Sequence, residues 1–257
     1  MEQAIRVQRR ARYRVVALNR PEKMNALDAA TLAALLHALA EAEDDAACRA
    51  LLLTGTGRAF CAGADLSGIA PGADLGAAVE SQWNPVARRL HRLRIPTVCA
   101  VNGVAAGAGA NLALGCDIVL AAQSARFVEA FAKIGLIPDC GGTWLLPRLV
   151  GAARARGMAM LAEPVDAARA EAWGLIWRAV ADDALMVEAE ALAAHLATQP
   201  THALVLTRRA FAAAAASGFD AQLDTERDVQ REAGRTADFA EGVRAFFEKR
   251  KPTFTGH

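Results

Sequence analysis

Over the first two-thirds of the chain the apolar positions fall into two alternating kinds of stretch. Short runs are apolar at consecutive positions: Val15-Val16-Ala17-Leu18, Ala50-Leu51-Leu52-Leu53-Thr54, Thr97-Val98-Cys99-Ala100-Val101 and Asp117-Ile118-Val119-Leu120. Strands covered on both faces read this way, because neither face meets water. Between the first two runs, Asp28 stands where it can cap an amphipathic helix reaching about Asp44, with Leu32, Leu35, Leu36 and Leu39 on one face. This alternation predicts a mainly parallel α/β core. Beyond Gly151 the pattern turns helical, over 166–173, 182–198, 200–217 and 220–250 with a break near Gly234, each stretch opening on Asp or Pro. Segment 67–81 is rich in glycine, proline, alanine and aspartate without a sustained period, and a mobile loop is expected there.

Composition narrows the class. With 257 residues, 54% hydrophobic and 22% charged, the chain can bury roughly 70–75% of its unfolded surface and needs neither disulfides nor a metal to build a core. The formal charge of +1 offers no field for a nucleic-acid backbone or an anionic membrane, so neither is expected as a partner. The first residues lack the basic-then-apolar run of a signal peptide, and no apolar stretch approaches the roughly 20 residues of a membrane span. A cytoplasmic protein is expected. Cys48, Cys61, Cys99, Cys116 and Cys140 are odd in number and form no C-x-x-C pair, which fits small buried residues better than a disulfide framework or a zinc site. No metal site is expected.

Three glycine-rich segments each lie downstream of an apolar run: Phe60-Cys61-Ala62-Gly63-Ala64-Asp65-Leu66, the stretch from Asn102 to Asn111, and the stretch from Gly135 to Trp144. A dinucleotide fingerprint in the second would need Gly or Ala where Leu112 stands, and no G-x-x-x-x-G-K-[ST] occurs. Small residues at a helix start leave backbone N–H groups unpaired and sterically open. Two such starts, near Ala64 and Ala108, could aim one N–H each at a single oxygen, forming an oxyanion hole. Tight turns and close helix packing would give the same composition.

At these residues the chain resembles the crotonase superfamily, also called the enoyl-CoA hydratase/isomerase family. The likeness runs from end to end: Asn19-Arg20-Pro21 with Asn25-Ala26-Leu27, the Phe60–Leu66 string, Ala100-Val101-Asn102-Gly103, Cys116-Asp117-Ile118, Gly135-Leu136-Ile137-Pro138 with Gly141-Gly142-Thr143, and Glu241-Gly242-Val243-Arg244-Ala245-Phe246 with Glu248-Lys249-Arg250. The resemblance implies an α/β spiral of strand-strand-helix turns over 1–195 and a helical C-terminal oligomerisation region over 196–257. It implies a homotrimer, or a hexamer built as a dimer of trimers. It also implies an acyl-CoA thioester as substrate, with coenzyme A as part of that substrate and no separate cofactor. Ala64 and Ala108 match the residues whose N–H groups hold the thioester oxygen, flanked by Ala62, Asp65 and Leu66. Lys23 is a candidate for the coenzyme A phosphates, and Phe246 and Lys249 resemble residues reaching the adenine end from a neighbouring subunit.

The family runs several reactions, so side chains must choose among them. Its hydratases hold water with two glutamates; the matching positions here are Asn111 and Phe131, which disfavours hydration. Glu129, two residues before Phe131, would serve only after a one-residue shift of register. Asp139 stands between Pro138 and Cys140 with Leu136, Ile137, Phe131 and Trp144 near it in sequence. Loss of hydration there would raise its pKa and make it a better base. One carboxylate with an oxyanion hole suits proton shuttling, hence an isomerase. An aspartate here also resembles the nucleophile of the family's dehalogenases, whose histidine base after a tryptophan is replaced in Trp83-Asn84. Gly135 to Arg148 is similar to the segment in isomerases that rearrange a ring epoxide of phenylacetyl-CoA and also shift enoyl-CoA double bonds. A hydratase or simple enoyl-CoA isomerase, and a non-catalytic CoA-binding protein, are the alternatives. None of His37, His91, His195, His202 and His257 is assigned to catalysis.

Overall fold

In the computed structural model, which describes residues 3–68, 70 and 72–257, ten strands form two sheets. The strands are β1 (Ile5–Arg9), β2 (Tyr13–Leu18), β3 (Ala50–Gly55), β4 (Ala59–Cys61), β5 (Thr97–Val101), β6 (Val104–Ala106), β7 (Ile118–Ala122), β8 (Arg126–Val128), β9 (Val165–Asp166) and β10 (Arg178–Val180). The larger sheet runs β1-β2-β3-β5-β7-β10 and is parallel apart from the β1–β2 pair. The smaller runs β4-β6-β8-β9, with the first three strands parallel. Each turn of chain thus gives a long strand to one sheet and a short one to the other before a helix returns it. The helices are α1 (Ala29–Asp44), α2 (Leu75–Ala78), α3 (Asn84–Arg92), α4 (Ala108–Leu114), α5 (Gly142–Leu161), α6 (Ala167–Ala172), α7 (Leu185–Leu196), α8 (Thr201–Ala214), α9 (Phe219–Ala233) and α10 (Ala237–Phe247).

The runs that read as doubly covered strands are so. Leu51, Leu52 and Leu53 are fully buried in β3, between β2 and β5 and against α7. Asp28 caps α1 by accepting from the Thr31 N–H at 2.8 Å, and Leu32, Leu35 and Leu39 face the core while Leu36 sits at its edge. The C-terminal helices appear within a few residues of their expected spans, with the break between α9 and α10 at Gly234. Arg49 ties them to the sheet through Thr201 and the Phe254 carbonyl. Buried Asp238 accepts from the Thr255 and Gly256 N–H groups and closes the tail. Among the described residues no helix is long and apolar enough to cross a membrane, and the five cysteines are free and buried.

Segment 67–81 departs from the loop expected of it. Asp74 accepts from the Ala77 N–H and starts α2, and a π turn over Val79–Trp83 runs on into α3. The buried Trp83 ring and the Glu80–Arg88 ion pair supply order that glycine-alanine composition does not display as a period. Ile69 and Pro71 lie outside the described residues. Helix α5 was not foreseen either, because Pro147 and the kink at Gly151 interrupt its pattern. Strands of two or three residues in the smaller sheet are too short to show an alternation.

Leu52→Ala should cost about 2–5 kcal/mol, read as the loss in unfolding free energy from urea titration, because the fully enclosed site cannot collapse around the deletion.

Candidate active site

Strands β4, β6 and β8 run parallel and side by side, so the chain leaving their C-terminal ends converges. These exits carry Ala64, Ala108 and Glu129. Gly63 takes φ +89°, and a Cβ there would lie 2.8 Å from the Ala106 carbonyl oxygen and 3.7 Å from the Ala108 nitrogen. Only a glycine lets the two backbones approach so closely. The Leu27 N–H donates to the Gly63 carbonyl and the Asp65 N–H to the Leu27 carbonyl, which turns the intervening Ala64 N–H to the other side. The Ala108 N–H opens α4. Neither N–H has an acceptor among the described residues. Two free donors from adjoining segments, one half-buried and one buried, are what a developing oxyanion requires.

Asp139 sits on the turn before α5, followed by Cys140 at φ +50° and Gly141 at φ +85°. The Asn111 Nδ2 of α4 donates to the Asp139 carbonyl at 3.0 Å. A Cβ on Gly142 would fall 2.2 Å from that same Nδ2, so the amide lies directly on the glycine. Asn111 is one helical turn after Ala108, which ties the Asp139 turn to the helix that opens at the Ala108 N–H. The carboxyl is half-buried, and its Oδ1 has no partner. Burial pushes its pKa up to about 6, only partly offset by a backbone hydrogen bond.

Beneath Asn111 lies a group that sequence reading left outside the site. Phe127 in β8, Glu129 just beyond its end and Phe131 in the 3-10 turn that follows are all buried. The Asn111 Nδ2 lies 3.4 Å from Glu129 Oε2 as donor, and Oε1 has no partner. Burial pushes the Glu129 carboxyl up to about 7, and ionised Asp139 acts in the same direction, against the Asn111 hydrogen bond. The i, i+2, i+4 spacing with two phenylalanines was the available signal. The Phe131 ring lies 3.6 Å from where a Cβ on Gly107 would stand. Both acids hold their protons more firmly folded than unfolded, so they subtract stability as pH rises through about 6 and about 7.

The remaining candidates divide. Ala62 donates its N–H to the Met24 carbonyl, and Leu66 stands half-exposed in a short 3-10 turn. Asp65 is held well below the usual carboxylate range by Ser67, Lys23 and Arg20, with Lys23 Nζ at 2.9 Å. Lys23 is therefore ion-paired as well as near the site. Phe246 and Lys249 are not brought to it: Phe246 is exposed and lines a cavity of about 620 Å³ among the C-terminal helices, which shares no residue with the one beside Asn111. That nearer cavity, about 270 Å³, is lined by Asn111, Cys140, Gly141, Trp144, His91 and Arg88 among others. Trp144 meets His91 edge-on at 5.5 Å, and Arg148 stacks on its ring. No group of three metal-ligating side chains occurs among the described residues.

This spiral of strand-strand-helix turns, with two free N–H groups at its strand ends, defines a crotonase fold. The family model described as enoyl-CoA hydratase/isomerase matches residues 9–257, and the chain belongs to that family, whose enzymes act on CoA esters. Among its relatives, the 1,2-epoxyphenylacetyl-CoA isomerase of Escherichia coli is 55% identical over 246 residues, covering 94% of each chain. A probable enoyl-CoA hydratase of Rhodobacter capsulatus is 51% identical, again over 94% of each. The crystal structure of an enoyl-CoA hydratase from Mycobacterium smegmatis superposes with a TM-score of 0.91 at 31% identity, covering 98% of this chain and 99% of that one.

Gly142→Ala should displace the Asn111 amide from the Asp139 carbonyl. Steady-state kinetics should show kcat reduced roughly 10–100-fold, the scale of a misplacement of about 1 Å at a reacting group.

Proposed function

We propose that the protein is an acyl-CoA isomerase in which Asp139 is the proton-transferring base and the N–H groups of Ala64 and Ala108 form the oxyanion hole. The observation that carries this reading is the half-buried Asp139 carboxyl, with one oxygen free to accept, on a turn that the Asn111 amide holds against the helix opening at the unpaired Ala108 N–H. In its ionised form the carboxylate takes a proton from the carbon next to the thioester. The electron pair of that C–H bond moves into a carbon–carbon double bond, and negative charge develops on the thioester oxygen against the two N–H groups. Asp139 then returns the proton at another atom, so the step conserves composition and needs no cofactor. A pKa near 6 keeps the group ionised at neutral pH yet more basic than an exposed aspartate.

The preferred substrate on this reading is 1,2-epoxyphenylacetyl-CoA, rearranged through its enolate to oxepin-CoA, with double-bond migration in enoyl-CoA esters as a side activity. The relative at 55% identity supports that choice. Asn111 and Phe131 stand where the family's hydratases carry glutamates, and Phe131 covers Gly107 with an apolar ring, which counts against water addition. Lys23 would share its ammonium between Asp65 and a coenzyme A phosphate. Residues 196–257, with Phe246 and Phe247 exposed, would form the trimer interface, with Phe246 and Lys249 reaching a neighbour's coenzyme A.

The test offers purified protein the ring epoxide, a 3-enoyl-CoA and a trans-2-enoyl-CoA. Epoxide rearrangement and double-bond migration without appreciable hydration are expected, with Asp139→Asn lowering kcat about 10²–10⁴-fold. Because the base works ionised, kcat should rise with pH through about 6. Fast hydration that survives Asp139→Asn would refute the assignment, and binding without turnover of any ester would point to a non-catalytic CoA-binding protein.

A further inference from the structure

Three buried side-chain oxygens of the residues that meet at the Asn111 amide have no hydrogen-bond partner: Glu129 Oε1, Asp139 Oδ1 and the amide's own Oδ1. The amide has two N–H groups to give, and its contacts run to Glu129 Oε2 and the Asp139 carbonyl. With both acids ionised, the Asn111 amide would supply the cluster's only strong side-chain donors against two like charges in a nearly dry setting, each orphaned group carrying a desolvation cost of about 1–3 kcal/mol. A proton on Glu129 turns one acceptor into a donor and removes a charge. Glu129 is fully enclosed, so it presents no surface to a substrate and cannot be the base itself.

We propose that Glu129, in its protonated form, is a positioning residue: through the Asn111 amide it holds the turn at 138–141 so that the Asp139 carboxyl faces the thioester. The inference rests on the reading of Asp139 as base. The groups facing Glu129 are the Asn111 amide from α4 and, from the turn before α5, the Asp139 carboxyl and the Cys140 thiol; the Cys61 thiol of β4 faces Cys140 behind them. No cation appears among the groups acting on either acid. Asp139, at about 6, loses its proton before Glu129, at about 7. Between those values the cluster carries one charge, on the base, and one proton, on its support. Above them Glu129 becomes a second carboxylate, its donor is lost, and the amide is left between two groups that repel.

The experiment measures kcat and KM against pH for 3-enoyl-CoA migration in the parent, Glu129→Gln and Glu129→Met, with thermal melting as the folding control. Parent kcat should rise through about 6 and fall above about 7. Glu129→Gln keeps an acceptor and a permanent donor, so it should stay within about threefold of the parent at the optimum and lose the falling limb. Glu129→Met keeps the bulk without either, so kcat should drop roughly 10–100-fold with KM within about twofold. A parent without the falling limb, a falling limb that persists in Glu129→Gln, or a Glu129→Met variant as fast as the parent would each overturn the proposal. Should Glu129→Met fail to fold, the Glu129→Gln profile decides alone. Asp139→Asn separates the two levels: activity retained there sinks the base assignment, whereas inactive Asp139→Asn with unaltered Glu129 variants sinks only the role of Glu129.

Discussion

The close approach of two backbones, Gly63 against Ala106 to Ala108, is the constraint on which the site depends. Side chains at that contact would force the strand exits apart, and the N–H groups of Ala64 and Ala108 would no longer lie side by side. The contact is possible because β4, β6 and β8 are parallel neighbours whose C-terminal ends fall along one edge of the smaller sheet. The larger sheet, filled by Leu51 to Leu53 and their neighbours, holds those exits in register through connections of only a few residues. Burial of apolar surface in one layer thereby fixes the placement of polar backbone in the other.

A single amide organises the acids. Asn111 rests on Gly142, reaches the Asp139 carbonyl from above and the Glu129 carboxyl below, and lies one helical turn from Ala108. The two carboxyls lack cationic partners, and burial raises both. The periphery follows the opposite rule. Asp65, with Ser67, Lys23 and Arg20, is held low, and Glu241 is pulled down to about 2, chiefly by Arg250. Asp65 and Glu241 are thus paired and held low, while burial without a cation raises Asp139 and Glu129.

Such an arrangement is costly to the fold. Two carboxyls whose affinity for a proton burial raises, three oxygens without a partner and a left-handed Cys140 are gathered from three separate segments of the chain. The surrounding core tolerates the strain because Phe127, Phe131 and Leu146 are buried around it and because α5 continues directly from the strained turn. Strain concentrated at a turn that presents a carboxyl fits a catalytic use better than a packing one.

The linear pattern determined a good deal. Short runs of consecutive apolar residues, Leu51 to Leu53 and Val98 to Val101, pointed to buried strands, and the Asp28 cap and the leucine stripe to α1, because these signals are local and repeat over several residues. The ordered motifs around Ala64, Ala108 and Asp139 likewise marked the family to which the chain belongs. Tertiary structure decided the rest. Strands of two or three residues have no period of their own and exist only through pairing. The 67–81 segment folds by capping and a buried tryptophan rather than by amphipathicity. Glu129 meets the Asn111 amide because the chain leaving β8 brings it against a residue 18 positions earlier, a proximity that no spacing along the sequence encodes.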